Sequence, residues 1–227
     1  MTGPIALVGG GEFLPAARPV DEWLLRRAAS QSVAVLPTAA AHQRPEMAIA
    51  TARRHFRGLG AEVDELAVLE REDAGDESLA RRAREADFIY LCGGDPRHLL
   101  EVLRDSAVWQ SILDARRRGA VLAGSSAGAM VLCEFLRPPG SSAPVRALGL
   151  VERVVVVPHH DRTAAAGMRA SASMAREGAR VLGIDESTAL VLDGGRCHVI
   201  GAGGVTLYAA SAPAWTRTAP AEMEGCL

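Results

Sequence analysis

Gly124-Ser125-Ser126-Ala127-Gly128 stands between the apolar run Ala120-Val121-Leu122-Ala123 and the helix-forming run Ala129-Met130-Val131-Leu132. A small-x-Ser-x-small pentapeptide that joins a strand to a helix reads as a nucleophile elbow. Its central residue is held in a strained turn, and small neighbours leave room for the turn and for a substrate. The helix behind it aims free N–H groups and a positive dipole end at the place where an oxyanion would form. A serine N-cap on a Gly/Ser-rich turn uses the same letters without chemistry, so the rest of the chain has to decide between the two.

Working outward, short β-branched runs alternate with Arg/Ala/Leu-rich segments at helical spacing. The strand candidates are Ile5–Val8, Val33–Leu36, Val63–Leu66, Phe88–Cys92, Ala120–Ala123 and Val154–Val157. Between them Val20–Ser30, Arg44–Leu59, Glu77–Glu85 and Leu99–Arg118 read as helices with solvated Arg/Glu faces. Alternation of this kind, with nearly continuous apolar strands, predicts an α/β fold whose mostly parallel, doubly wound sheet is covered on both sides. A late group, Ala189–Leu192, Cys197–Ile200 and Gly204–Tyr208, is broken by Asp193-Gly194-Gly195 and Gly201-Ala202-Gly203 and predicts a small antiparallel meander at one end. One domain is expected over 1–210, and a tail over 211–227 with little structure of its own.

Composition removes whole classes of chemistry. With 25 basic and 27 acidic residues the net charge is −2, so no positive field favours nucleic acid or an anionic membrane. No basic leader precedes the first apolar strand, and no apolar run is long enough to span a bilayer, so a cytoplasmic protein is expected. Lysine is absent, which excludes Schiff-base catalysis, a Ser-Lys dyad and a Walker P-loop. Asparagine is absent as well, leaving an oxyanion hole to backbone amides or other donors. The four cysteines show no CxxC spacing, and Cys92, Cys133 and Cys197 lie in apolar runs as inert core residues.

Ligands of open parallel sheets bind beyond the carboxyl ends of the strands. In this chain those positions carry Gly9-Gly10-Gly11-Glu12-Phe13, Pro37-Thr38-Ala39-Ala40, Gly93-Gly94-Asp95-Pro96, the Ser126 elbow and Pro158-His159-His160-Asp161. A base for Ser126 must come from six histidines, and His159 and His160 are favoured because they directly follow a strand. Adjacent residues on extended backbone face opposite ways, so one of the two is expected at the serine. The acid that orients the imidazole is Glu186 by first choice, with Asp185 and Asp161 as alternatives. His159, His160 and Asp161 offer metal-ligand atoms, but adjacent residues rarely chelate one ion and no HExxH spacing accompanies them, so no metal site is expected.

Four segments together resemble the cyanophycinase and aspartyl dipeptidase family of serine peptidases. They are Val8-Gly9-Gly10-Gly11-Glu12-Phe13, Tyr90-Leu91-Cys92-Gly93-Gly94-Asp95, Gly124-Ser125-Ser126-Ala127-Gly128-Ala129 and Gly183-Ile184-Asp185-Glu186-Ser187-Thr188-Ala189-Leu190. The resemblance implies a three-layer, flavodoxin-like α/β/α sandwich related to class I glutamine amidotransferases. It also implies Ser126 as nucleophile, His159 as base, and neither a metal nor an organic cofactor. The backbone N–H groups of Gly94 and Ala127 would then hold the oxyanion, and Asp95 and Arg162, or Arg169, would meet the substrate. The chain departs from the cyanophycinase pattern where Val157-Pro158 replaces Asp-Gln before the histidine and Pro96 replaces a glutamine. His160 stands where phenylalanine is usual. These departures imply a divergent member with a rebuilt pocket.

The expected partner is a small peptide or amide substrate, and a homodimer stays open. Three rivals are kept: an esterase built on Ser126, Asp185 and His198, a glutamine amidotransferase, and a non-catalytic module on the same fold.

Overall fold

A computed structural model describes residues 2–137, 144–163, 180–208, 213–225 and 227. Five strands, β1 (Ile5–Val8), β2 (Ser32–Leu36), β3 (Glu62–Glu65), β4 (Phe88–Leu91) and β5 (Val121–Ser125), pair in parallel in the order β1-β5-β4-β2-β3. Helices α1 (Arg18–Leu25), α2 (Pro45–Arg57), α3 (Glu77–Glu85), α4 (Pro96–Leu103) and α5 (Ala107–Arg117) lie between them in the chain, and α6 (Ala127–Leu132) follows β5.

The two-residue period of the strands explains the layers. On one face Ala6, Val8, Val33, Val35, Phe88 and Tyr90 pack with Leu24 of α1 and Ile49 and Phe56 of α2. On the other, Ile5, Leu7, Ala34, Leu36, Ile89 and Leu91 pack with Leu99 of α4, Ile112 of α5 and Val131 of α6. Each fully buried Leu, Ile or Phe contributes roughly 1.5–3 kcal/mol, and strands read as continuous apolar runs because both faces need such residues.

Helix α3 has the predicted bounds, and Asp76 caps it by accepting the Ser78 and Leu79 N–H groups at 2.8 and 3.0 Å. The single helix expected over Leu99–Arg118 is two. Asp105 takes a left-handed φ of 54° that ends the first, and Ser106 caps α5 through the Trp109 N–H at 3.0 Å.

The late chain differs from the expected meander. A two-residue hairpin, β6 (Phe135–Leu136) with β7 (Val145–Arg146), precedes β8 (Val154–Val157). Expected in the main sheet, β8 instead edges a second sheet, where it runs parallel to β9 (Arg180–Ile184), a strand the sequence pattern did not reveal. Two strands, β10 (Thr188–Asp193) and β11 (Arg196–Gly201), do form an antiparallel pair, with β10 against β1 in the main sheet. The third expected strand, β12 (Gly204–Tyr208), leaves that pair and joins β9. Nor is the region after 210 without structure: β13 (Pro213–Thr218) extends the second sheet and β14 (Ala221–Glu224) edges the first.

Cys92 and Cys133 are buried free thiols, and burial pushes both well above the usual thiol range, so they are inert as expected. Cys197 is not: it is disulfide-bonded. Among the described residues no helix is long and apolar enough to cross a membrane.

Candidate active site

The parallel register places the site. Val8 pairs with Ser125 and Leu91 with Gly124, so the segments leaving β1, β4 and β5 emerge side by side. Ser126 follows at once with φ 48° and ψ −107°, a conformation that costs a non-glycine residue roughly 1–3 kcal/mol. Its N–H is tied to the Val8 carbonyl at 2.9 Å, and α6 starts behind it. The small flanking residues are required: a Cβ on Gly124 would lie 2.5 Å from the Gly128 carbonyl carbon.

Ser126 is half-buried, and its Oγ is 2.9 Å from Nε2 of His159. The other ring nitrogen, Nδ1, is 2.8 Å from Oε1 of Glu186. An ionised carboxylate only accepts, so Nδ1 carries the ring hydrogen and Nε2 presents a lone pair to the serine hydroxyl. The His159 and Glu186 side chains are 41% and 26% exposed, open enough to meet a ligand.

Antiparallel pairing of β10 with β1 brings the start of β10, and with it Glu186, to the carboxyl end of β1. His159 and Ser187, the residue after Glu186, are both anchored on the glycine run after β1. The His159 N–H donates to the Gly9 carbonyl, and the Ser187 N–H to that of Gly10, each at 2.7 Å. A Cβ on Gly10 would sit 2.2 Å from Cε1 of His159, so the imidazole rests directly on this backbone. The run Gly9-Gly10-Gly11 therefore cradles the base, a role the sequence reading did not give it.

The remaining acids have other work. Asp161 Oδ1 accepts the Glu186 N–H at 2.9 Å, holding the acid's backbone. Asp185 faces His160 at 3.3 Å and accepts the Gly204 N–H at 2.8 Å. His160 in turn is 2.6 Å from the Tyr208 hydroxyl. Arg162 donates to Glu186 Oε1 at 3.1 Å, so part of its guanidinium is engaged with the acid; Arg169 lies outside the described residues.

On the Gly93-Gly94-Asp95 side, Gly93 donates its N–H to Glu12 at 2.8 Å and Asp95 its own to the Ala39 carbonyl at 2.7 Å. The N–H groups of Gly94 and Ala127 have no acceptor among the described residues. The Asp95 carboxylate caps α4 by accepting the Arg97 N–H at 2.8 Å. In the sequence Glu12 is one letter of the Gly9–Phe13 motif, and in the structure it bridges the Gly93 N–H and the buried Ser125 hydroxyl, the latter at 2.7 Å. Only knowledge that β1 and β5 are neighbours would have exposed this.

The esterase alternative is not assembled. His198 packs against Trp23, with ring centroids 5.0 Å apart, and lies 3.7 Å from Glu222, while Asp185 holds His160.

A half-buried serine at a strand-to-helix elbow, facing a histidine at the rim of an α/β sheet, is the arrangement of a serine-type hydrolase. The chain belongs to peptidase family S51, whose family model matches residues 5–200. It is similar to a cyanophycinase of Trichormus variabilis, 30% identical over 215 residues that cover 89% of this chain and 72% of that one. A cyanophycinase of Synechococcus elongatus is 30% identical over 218 residues, covering 90% and 67%. Among solved structures, a peptidase from an acI-B1 Actinobacterium superposes with a TM-score of 0.87 at 30% identity, covering 99% of this chain and 97% of its own. A putative peptidase E of Listeria monocytogenes shares the fold, with a TM-score of 0.67 at 18% identity, covering 89% of this chain and all of that one. The protein is a serine-type peptidase.

Proposed function

We propose that this peptidase cleaves a small peptide or amide through Ser126, His159 and Glu186, by way of an acyl-enzyme. The observation that carries the reading is the unbroken hydrogen-bond line from Ser126 Oγ through both nitrogens of His159 to Glu186. His159 Nε2 takes the hydroxyl proton as Oγ attacks the carbonyl carbon, and Glu186 stabilises the resulting imidazolium. The developing oxyanion is received by the N–H groups of Gly94 and Ala127, each contributing on the order of 3 kcal/mol. The imidazolium then returns its proton to the leaving amine, and water admitted to the same base releases the acyl group.

For this chain, which departs from the cyanophycinase pattern around the base, we propose a small substrate. Val157-Pro158 precedes the base, and Arg162 is bound to Glu186. The Arg162 side chain is 70% exposed and keeps N–H groups for a substrate carboxylate, and Asp95, whose carboxylate caps α4, is the second substrate contact proposed. The reading is tested with a panel of α-linked aspartyl, β-linked aspartyl and neutral dipeptides. Wild type is expected to hydrolyse at least one of them, with kcat falling on the order of a million-fold in Ser126→Ala. Full hydrolysis by Ser126→Ala, or failure of a serine-directed phosphonate to label Ser126 in the folded protein, overturns it.

A further inference from the structure

Beyond the elbow, the same rim gathers a second set of chemically capable side chains. His42 follows β2, Glu70 follows β3, and His98 lies in the first turn of α4 after β4. Each offers one ligand atom, and these atoms lie within 4.8 Å of one another. Around a tetrahedral ion with bonds of about 2.05 Å, neighbouring ligand atoms stand about 3.4 Å apart, so small side-chain rotations would close the set.

The backbone beneath these three residues is already cross-pinned. Thr38 Oγ1 donates to the Val68 carbonyl at 2.6 Å and joins the loops after β2 and β3. The Asp95 N–H donates to the Ala39 carbonyl at 2.7 Å and joins the loops after β2 and β4. Asp73 Oδ2 accepts the N–H groups of Leu69 and Glu70, both at 2.9 Å, and fixes the segment from which Glu70 projects. His98 Nε2 lies 2.7 Å from the Leu69 carbonyl, an obligate acceptor, so Nε2 carries the hydrogen and Nδ1 keeps a lone pair. Such a bond from the second ring nitrogen to a backbone carbonyl is the usual support of a metal-binding histidine. Among the described residues the His42 ring and the Glu70 carboxylate have no hydrogen bond or ion pair, although the His42 ring packs on that of His98, with centroids 4.6 Å apart.

We propose that His42, Glu70 and His98 bind one divalent transition-metal ion, with two imidazoles and a carboxylate selecting Zn²⁺-like ions over Mg²⁺ or Ca²⁺. His42 and Glu70 are exposed, which leaves coordination positions open to water or to a ligand carboxylate. The ion clamps the loops after β2, β3 and β4, and so braces the Ala39 carbonyl that holds the loop bearing Gly94. It takes no part in the serine chemistry, and the site stands whether or not the peptidase reading does.

The test uses the full chain stripped with a chelator, titrated calorimetrically with Zn²⁺ and spectroscopically with Co²⁺, alongside His42→Ala, Glu70→Gln and His159→Gln. One equivalent of Zn²⁺ is expected, with a Tm that rises saturably with the ion. His42→Ala and Glu70→Gln, both at exposed positions, should each weaken binding by at least the roughly 10- to 100-fold typical of losing an outer-shell partner. His159→Gln should bind as wild type does. Absence of saturable binding overturns the proposal. So does binding that survives both rim variants, or that is lost in His159→Gln, which would put the ion on the triad histidine.

Discussion

His159 and His160 are neighbours in the chain, and so are Asp185 and Glu186, yet the two His–acid pairs they form live differently. The pair His159·Glu186 lies at the open rim with Ser126 at one end and Arg162 at the other. The pair His160·Asp185 is turned inward, against the Tyr208 hydroxyl and the Gly204 N–H. In β8 and β9 Val157 pairs with Gly183, and continuing that register would set His159 opposite Asp185. A left-handed φ of 50° at His159 ends the strand before then, and the contacts cross. One pair is thereby presented to a ligand while its neighbour staples the two segments that carry it. Identical chemistry thus takes two roles according to which way the backbone turns.

The sharpest way to break the comparison is to neutralise each acid. In the proposed mechanism Glu186 stabilises the His159 imidazolium, so in Glu186→Gln kcat should fall on the order of 10³- to 10⁴-fold. Asp185→Asn keeps an oxygen for the Gly204 N–H, and its kcat should stay within about 10-fold of wild type. Steady-state kinetics on any dipeptide that the wild type hydrolyses decides the matter. Equal losses in the two variants would mean that the inner pair shares the catalytic charge and that the division of roles is wrong.

Replacing the inner histidine asks a gentler question. His160→Phe leaves a flat ring on the second sheet but removes the 2.6 Å partner of Tyr208 and the partner of Asp185 Oδ1. Stability should fall by about 1–3 kcal/mol, measured by urea unfolding, with the pH midpoint of kcat unmoved. A shifted midpoint with unchanged stability would reverse the assignment.

How much of this was legible in the letters depends on sequence distance. The elbow, Helix α3 and the five parallel strands are local patterns, written in contiguous apolar runs, small residues and caps. That His159 meets Ser126 and Glu186 meets His159 was also within reach, because base and acid each directly border a strand. What could not be read were the pairings across sequence. That β8 leaves the main sheet for β9 depends on packing between segments far apart, and the short Arg180–Ile184 run gives little period of its own. The bridge from Glu12 to Ser125 spans 113 residues and exists only because β1 and β5 are adjacent. The charge of Arg162 and its place after His159 suggest a substrate contact, whereas its bond to Glu186 follows from the turn after β8.

A third His–acid pair extends the comparison to full burial and to the smallest effect. His55 Nε2 lies 2.8 Å from Asp21 Oδ2 between α2 and α1, with side chains 8% and 1% exposed, and Asp21 Oδ1 has no partner among the described residues. Burial raises the Asp21 carboxyl above its ordinary value; the hydrogen bond and charge of His55 oppose this, and the charge of Glu12 adds to it. The folded state therefore holds the Asp21 proton more tightly than the unfolded chain does. Its stability contribution is complete below the ordinary carboxyl pKa and is lost as pH rises through the higher folded value. Asp21→Asn cannot titrate. The stability of wild type minus that of Asp21→Asn, from urea unfolding at a series of pH values, should thus decline across that window. A difference that stays flat or grows with pH would show that His55 compensates the buried charge in full, and that burial does not grade these three pairs.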